Sequence, residues 1–173
     1  MNSHSRKSLM KLLDKHCSLD NEGAKQLRDD QQQQQQTVSA FDFIYLPMDF
    51  RTGYNRGYAF VNFTNPRAVW KFYEAFNDRA WYSLDVESPK TIHIVSAKIQ
   101  GKEALVSHFD KSVFFCKSDE FLPVCFSPPR DGASGEDQAV TITTIGKRIT
   151  TITPCTNRGV SLSPDSSKTV QES

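Results

Sequence analysis

The chain has 173 residues, 38% of them hydrophobic, at a mean hydropathy of −0.52. That is enough for one ordinary domain flanked by polar spacer, not for a core drawn from the whole length. Lys and Arg number 21 against 20 Asp and Glu, a formal charge of +1, which excludes a strongly basic clamp on duplex nucleic acid as the main device. No apolar run approaches the roughly 20 residues of a membrane span. The polar, basic stretch from Met1 to Lys7 does not read as a secretory signal, so no membrane partner is expected.

From Ser5 to about Cys17, Leu9, Leu12, Leu13 and His16 recur at i, i+3, i+4 and i+7, which predicts a short amphipathic helix. The next segment, 18–39, is polar and ends in the glutamine run Gln31 to Gln36; it reads as a disordered insert. Phe41 to Leu46 is an apolar strand stopped by Pro47. A loop centred on Gly53 leads to a second strand, Gly57 to Phe63. Asn65-Pro66 then supplies a cap and a proline for the first helical position. Val69, Phe72, Tyr73 and Phe76 follow at helical spacing, and their stripe is expected to be core. A last strand is expected over Thr91 to Ile99, ended by Gly101, with a short helix over Glu103 to Phe109.

Near Pro128-Pro129-Arg130-Asp131-Gly132 a last zone begins, in which Gly, Ser, Glu and Asp briefly dominate. Val140 to Thr153 is rich in Thr and Ile and predicts strands, in a hairpin if anything. A hairpin alone is marginal in water, so 133–173 is expected to be a low-order tail outside a domain spanning 5–132.

The four cysteines, Cys17, Cys116, Cys125 and Cys155, form no C-x-x-C pair, and the histidines have no ligand spacing. Free thiols, no metal and no cofactor are expected. No glycine-rich phosphate loop or nucleophile elbow is present. Asp42, Asp49, Asp85 and Glu87 read as solvated or capping groups, so the chain is not expected to be an enzyme.

The most specific feature is the octamer Arg56-Gly57-Tyr58-Ala59-Phe60-Val61-Asn62-Phe63. It satisfies every position of the RNA recognition motif signature, a match with a chance frequency on the order of 10⁻⁸ per position. On a strand, Arg56, Tyr58, Phe60 and Asn62 share one face while Gly57, Ala59, Val61 and Phe63 share the other. The first set offers rings on which splayed bases of single-stranded RNA stack and a guanidinium that meets phosphate. The alternative is that a helix or a partner covers those rings. Phe43 and Tyr45 of the preceding strand extend the same face if Ile44 and Leu46 point to the helices. Lys98 and Gln100 would reach RNA from the last strand. Residues 40–132 carry eleven Lys and Arg against eleven Asp and Glu, so affinity should lean on stacking more than on charge.

Phe41 to Phe50, Gly57 to Asn62, Phe72 to Asn77, Ala97 to Gly101 and Pro123 to Gly132 together resemble the C-terminal RNA recognition motif of the Mei-two-like proteins. Ser127-Pro-Pro-Arg-Asp-Gly132 is most like the plant terminal-ear branch. The resemblance covers roughly Arg6 to Gly132. It implies an α+β, ferredoxin-like β-α-β-β-α-β sandwich with sheet order 4-1-3-2. It also implies single-stranded RNA as partner, and a nuclear or shuttling regulator of meiosis or plant development.

One departure stands out: the strand that precedes the first helix in the family has no counterpart here, so the fold is expected to lack its first β-strand. That would leave backbone groups unpaired and new sheet edges open. Three outcomes compete: an N-terminally truncated product, direct pairing of the last strand with Arg56 to Phe63, or Val140 to Thr153 filling the vacancy. The function of a second class is a protein-interaction module using the aromatic face or an exposed sheet edge.

Overall fold

The structure, a computed structural model, describes residues 4–26, 37–82, 87–133 and 140–150. It is an α+β domain built on a four-stranded antiparallel sheet. Strand β1 (Phe41–Tyr45) lies between β4 (Phe60–Phe63) and β8 (Val124–Arg130), and β8 pairs in turn with β9 (Thr141–Thr144). The order β4-β1-β8-β9 differs from the expected 4-1-3-2.

Helix α1 (Arg6–Gln26) opens on Ser5, whose Oγ accepts from the Ser8 N–H at 3.1 Å. Leu9, Leu13 and Cys17, one turn apart, are buried. The helix is nine residues longer than its apolar period, running through the first part of the segment read as a disordered insert. Polar anchors explain this. The Asn21 side chain donates to the carbonyls of Ser39 (2.9 Å) and Asp131 (3.0 Å) and accepts from the Ser39 N–H (2.8 Å). Asp20 accepts from the Ser39 hydroxyl and pairs with Lys71. Such anchors satisfy polar groups without leaving a hydrophobic period to read. The glutamine run lies outside the described residues.

Two cores flank the sheet. On the α1 and α2 side, Leu9, Leu13 and Cys17 pack with Phe41, Ile44, Val124 and Phe126, joined by Val61, Phe63 and Phe72. On the other side, Phe43 packs with Leu105 and Ile145. Phe41 and Phe43 would share a face in a regular strand, but a register shift between them sends Phe41 to the opposite core.

Helix α2 (Pro66–Phe76) starts as read: the Asn65 side chain accepts from the Ala68 N–H at 2.8 Å. Its predicted stripe is only half core. Phe72 and Phe76 pack against His16, whereas Val69 and Tyr73 are exposed beside Trp70, which is 60% exposed.

Several strands depart from expectation. Gly57 to Phe63 forms a strand only from Phe60, because the ladder ends at Tyr45 opposite Phe60. Beyond it the Arg56 N–H donates to the Pro47 carbonyl (2.9 Å) and Gly57 takes φ +87°, turning the chain out of the sheet. A two-residue ribbon of β2 (Met48–Asp49) and β3 (Tyr54–Asn55) carries the Gly53 turn. The strand expected over Thr91 to Ile99 is instead β6 (Glu87–Thr91), paired with β5 (Ala80–Tyr82), and 92–100 is irregular. It therefore does not pair with Arg56 to Phe63; among the described strands β4 pairs with β1 alone.

Within the segment expected to be a low-order tail, 140–150 carries two strands, while 134–139 and 151–173 lie outside the described residues; between 140 and 150 the chain neither forms a hairpin nor lies beside β4. Strand β9 extends the sheet at β8, while β10 (Lys147–Ile149) runs parallel to β7 (Val113–Phe115). Pro128 to Gly132, where no regular element is predicted, carries structure too: β8 runs to Arg130. Arg130 grips Asp14 through two hydrogen bonds, Nε to Oδ1 at 3.0 Å and Nη2 to Oδ2 at 2.7 Å. A short 3₁₀ turn (Asp119–Phe121) precedes β8, and Arg6 donates to the Leu122 carbonyl at 3.0 Å just after it.

Candidate nucleic-acid interface

Alternation along β1 and β4 sends Phe43, Tyr45 and Phe60 to the face away from α1 and α2. Helix α3 (Lys102–Asp110) lies on that face. It begins at Gly101, which takes φ +88°, and lands Leu105 and Phe109 on the sheet aromatics. The Phe109 ring stacks on Phe43 (centroids 6.0 Å, 18° between planes) and meets Tyr45 edge-on at 4.8 Å.

The segment after β9 holds α3 down. Ile145 enters the same core, and its N–H donates to the Pro123 carbonyl at 2.9 Å. Gly146 follows at φ +88°; a Cβ there would sit 2.5 Å from the Phe114 ring and 3.0 Å from the Phe109 and Ser112 carbonyl oxygens. Only glycine fits so close a crossing.

Phe43 is therefore not a stacking platform: it is 0% exposed under α3. Asn62 shares its face, but its Nδ2 donates to Asp42 Oδ1 at 2.8 Å, which ties the side chain across the β1–β4 pair. That bond also accounts for Asp42, while Asp49 accepts from the Arg51 N–H at 3.0 Å within the ribbon turn. Asp85 lies outside the described residues. Lys98 and Gln100 are exposed, but on a bend rather than a strand; between them Ile99 packs onto the Phe43 cluster.

The rest of the predicted set is brought together. Tyr58 is 50% exposed, and Arg56 is exposed beside it. Phe60 and Tyr45 are half-buried, nearly parallel (8°) with centroids 6.3 Å apart. Burial pushes the Tyr45 phenol up, keeping it a neutral donor. These four side chains line an open cleft of about 420 Å³. Pro47, Met48 and Phe50 from the loop after β1 complete one side of it, and His108 and Phe109 from α3 the other. The α3 and loop residues were not foreseen as part of the site. The available signal was Leu105 and Phe109, one helical turn apart directly after the last platform segment.

Cys17 and Cys116 are buried and Cys125 is half-buried, all as free thiols; Cys155 lies outside the described residues. Burial, reinforced by Asp14, pushes the Cys17 thiol up to about 12. Among the described residues no helix is long and apolar enough to cross a membrane.

The comparison that decides the family is a match of residues 3–110 to the model of RNA recognition motif 2. The chain belongs to the RNA recognition motif 2 family. Over 131 residues, 76% of the chain, this domain is 44% identical to a protein terminal ear1 homolog of Oryza sativa subsp. indica. It is equally similar to protein terminal ear1 of Zea mays, and 42% identical to protein MEI2-like 6 of Oryza sativa subsp. japonica. These relatives place this RNA recognition motif with the Mei-two-like, terminal-ear branch. The alignment spans 18% and 19% of the two terminal ear1 proteins and 40% of MEI2-like 6. The family match reaches α3 and ends at Asp110, before the strands that hold α3 in place.

Proposed function

We propose that the chain is a single-stranded RNA-binding regulatory protein and not an enzyme. Its biological setting is plant meiosis or development, in the nucleus with shuttling to the cytoplasm. One observation carries this reading: at the open end of the sheet, the half-exposed Tyr58 ring stands beside the exposed Arg56 and the half-buried Phe60. Bases stack on such rings at roughly 1–3 kcal/mol each, with arginine supplying a phosphate contact. The complete octamer and the family membership support it.

The test is titration of the full chain with single-stranded RNA. Tyr58→Ala is expected to weaken binding by roughly 1–3 kcal/mol while leaving thermal stability nearly unchanged. Equal binding by wild type and variant would sink this reading. Because residues 40–132 are balanced in charge, the salt dependence should also be shallow, reflecting few phosphate contacts.

A protein-interaction module is the second reading. It is favoured by the edge of β4, which among the described strands pairs on one side only, and by the exposed Val69, Trp70 and Tyr73 on α2. Under that reading Tyr58→Ala leaves partner binding intact.

A further inference from the structure

We propose that the cleft between α3 and the end of the β1–β4 pair is a site for one unstacked nucleobase, with its phosphate at Arg56. The domain then reads single nucleotides instead of a row of bases laid across the sheet. This rests on the RNA-binding reading above and specifies its footprint.

Three observations limit the footprint. First, the middle of the platform is closed, with Phe43 fully buried beneath Phe109 and Leu105, and Asn62 tied to Asp42. Second, the exposed ring does not continue a stair: Tyr45 and Phe60 are nearly parallel but half-buried, and Tyr58 stands across Phe60. Tyr58 and Phe60 are perpendicular (89°, centroids 5.8 Å apart), so two bases stacked on each other cannot lie flat on both. They form a corner, in which one base lies against one ring and presents its edge to the other. Third, the cleft of about 420 Å³ is bounded on both sides, by Phe50 and Met48 on the loop and by His108 and Phe109 on α3. That volume is at the small end of ligand pockets, roughly 300–1,000 Å³.

The polar groups are placed for a nucleotide. Arg56 is exposed on the rim two residues from Tyr58, in position for phosphate. His108 is exposed on the α3 rim, with ring nitrogens able to donate to or accept from a base edge. Helix α3 thus acts as one wall of the site while covering the rest of the sheet.

The full chain would be titrated by fluorescence anisotropy with end-labelled oligouridylates and oligoadenylates of two to eight nucleotides. Affinity is expected to level off by two or three nucleotides, rising afterwards only in proportion to the number of registers on the longer strand. His108→Ala and Phe50→Ala alter exposed side chains, and each is expected to weaken dinucleotide binding roughly fivefold or more. Trp70→Ala, outside the cleft, is expected to leave it unchanged.

A steep climb in affinity through eight nucleotides would overturn the one-base site. So would normal dinucleotide binding by both cleft variants when Tyr58→Ala still weakens RNA binding, which leaves the broader RNA-binding reading standing. If the folded wild type binds no RNA of any length at low salt, both readings fall.

Discussion

Arg130 at the end of β8 and Asp14 in the middle of α1 form a two-point ion pair, at 3.0 and 2.7 Å, and the same guanidinium lies 5.6 Å from the centre of the Phe126 ring. The next two residues continue the grip. The Asp131 carbonyl accepts from Asn21, and Gly132 passes against the α1 backbone at Asp14 and Ser18. The end of the domain, where the sequence predicts no regular element, is thereby the clasp that holds α1 on the sheet.

Both side chains of this pair are about a quarter exposed, so solvent screens part of the attraction. Arg130→Ala is expected to lower the unfolding free energy by about 1.5–3 kcal/mol, the range for hydrogen bonds to charged groups. Arg130→Lys should recover only part of that, because an ammonium cannot make the planar two-point contact. A double-mutant cycle with Asp14→Ala in urea unfolding isolates the coupling, and a coupling near zero would contradict the clasp.

Gly132 offers a sharper test. Its φ is +80°, and a Cβ would fall 2.1 Å from the Asp14 carbonyl oxygen and 2.6 Å from the Ser18 nitrogen, both backbone atoms. Gly132→Ala is expected to cost about 2–4 kcal/mol by combining overpacking with backbone strain. Gly53 has φ +76° but nothing within 4 Å, so Gly53→Ala should show the strain alone, about 1–2 kcal/mol. Equal losses in thermal unfolding would mean that the close approach to α1 contributes nothing.

Phe43 and Tyr58 separate stability from binding on one face. Phe43→Ala empties a fully buried site between the sheet and α3 and is expected to cost about 3–5 kcal/mol of stability. The half-exposed Tyr58 should cost little stability when truncated. A marginal change in melting temperature for Phe43→Ala would place α3 off the sheet in solution.

Acid should weaken the fold before any carboxylate is protonated. His16 is wedged between Phe72 and Phe76, and its Nε2 is buried without a partner. Burial holds its imidazole below the ordinary value; Lys71 adds to this and Asp20 opposes it. Burial and Lys90 lower His4 as well. The unfolded chain therefore takes up protons near pH 6.5 while the folded chain does not. This contribution to stability is complete above about pH 6.5 and is lost as pH falls toward the depressed folded values. Denaturation midpoints from pH 8 to pH 5 should fall on the acid side, and His16→Leu should flatten that fall.

Much of the local structure was legible because it is written in short-range chemistry. Asn65-Pro66 set the start of α2, Pro47 ended β1, and Leu9, Leu13 and Cys17 marked the buried stripe of α1. Strand β8 was hidden by its prolines. On the β1 side its register jumps from Cys125 opposite Phe43 to Arg130 opposite Phe41, so Pro128 and Pro129 lie where that ladder requires no N–H. The last part of α1 was hidden because Asp20 and Asn21 are held by polar partners far along the chain.

The sequence by itself determined the family, the aromatic octamer, and which side chains of β1 and β4 share a face, apart from Phe41 at the register shift. These follow from residue identity and a backbone period of two, which need no knowledge of distant segments. Only the tertiary structure decided that Phe43 is sealed and Tyr58 is open. Alternation says which residues share a face but not what is packed on it. The cover comes from α3 and from Ile145, some 60 to 100 residues downstream of Phe43. Their docking is driven by burial of apolar area, which is non-directional and leaves no pattern in the strand it covers.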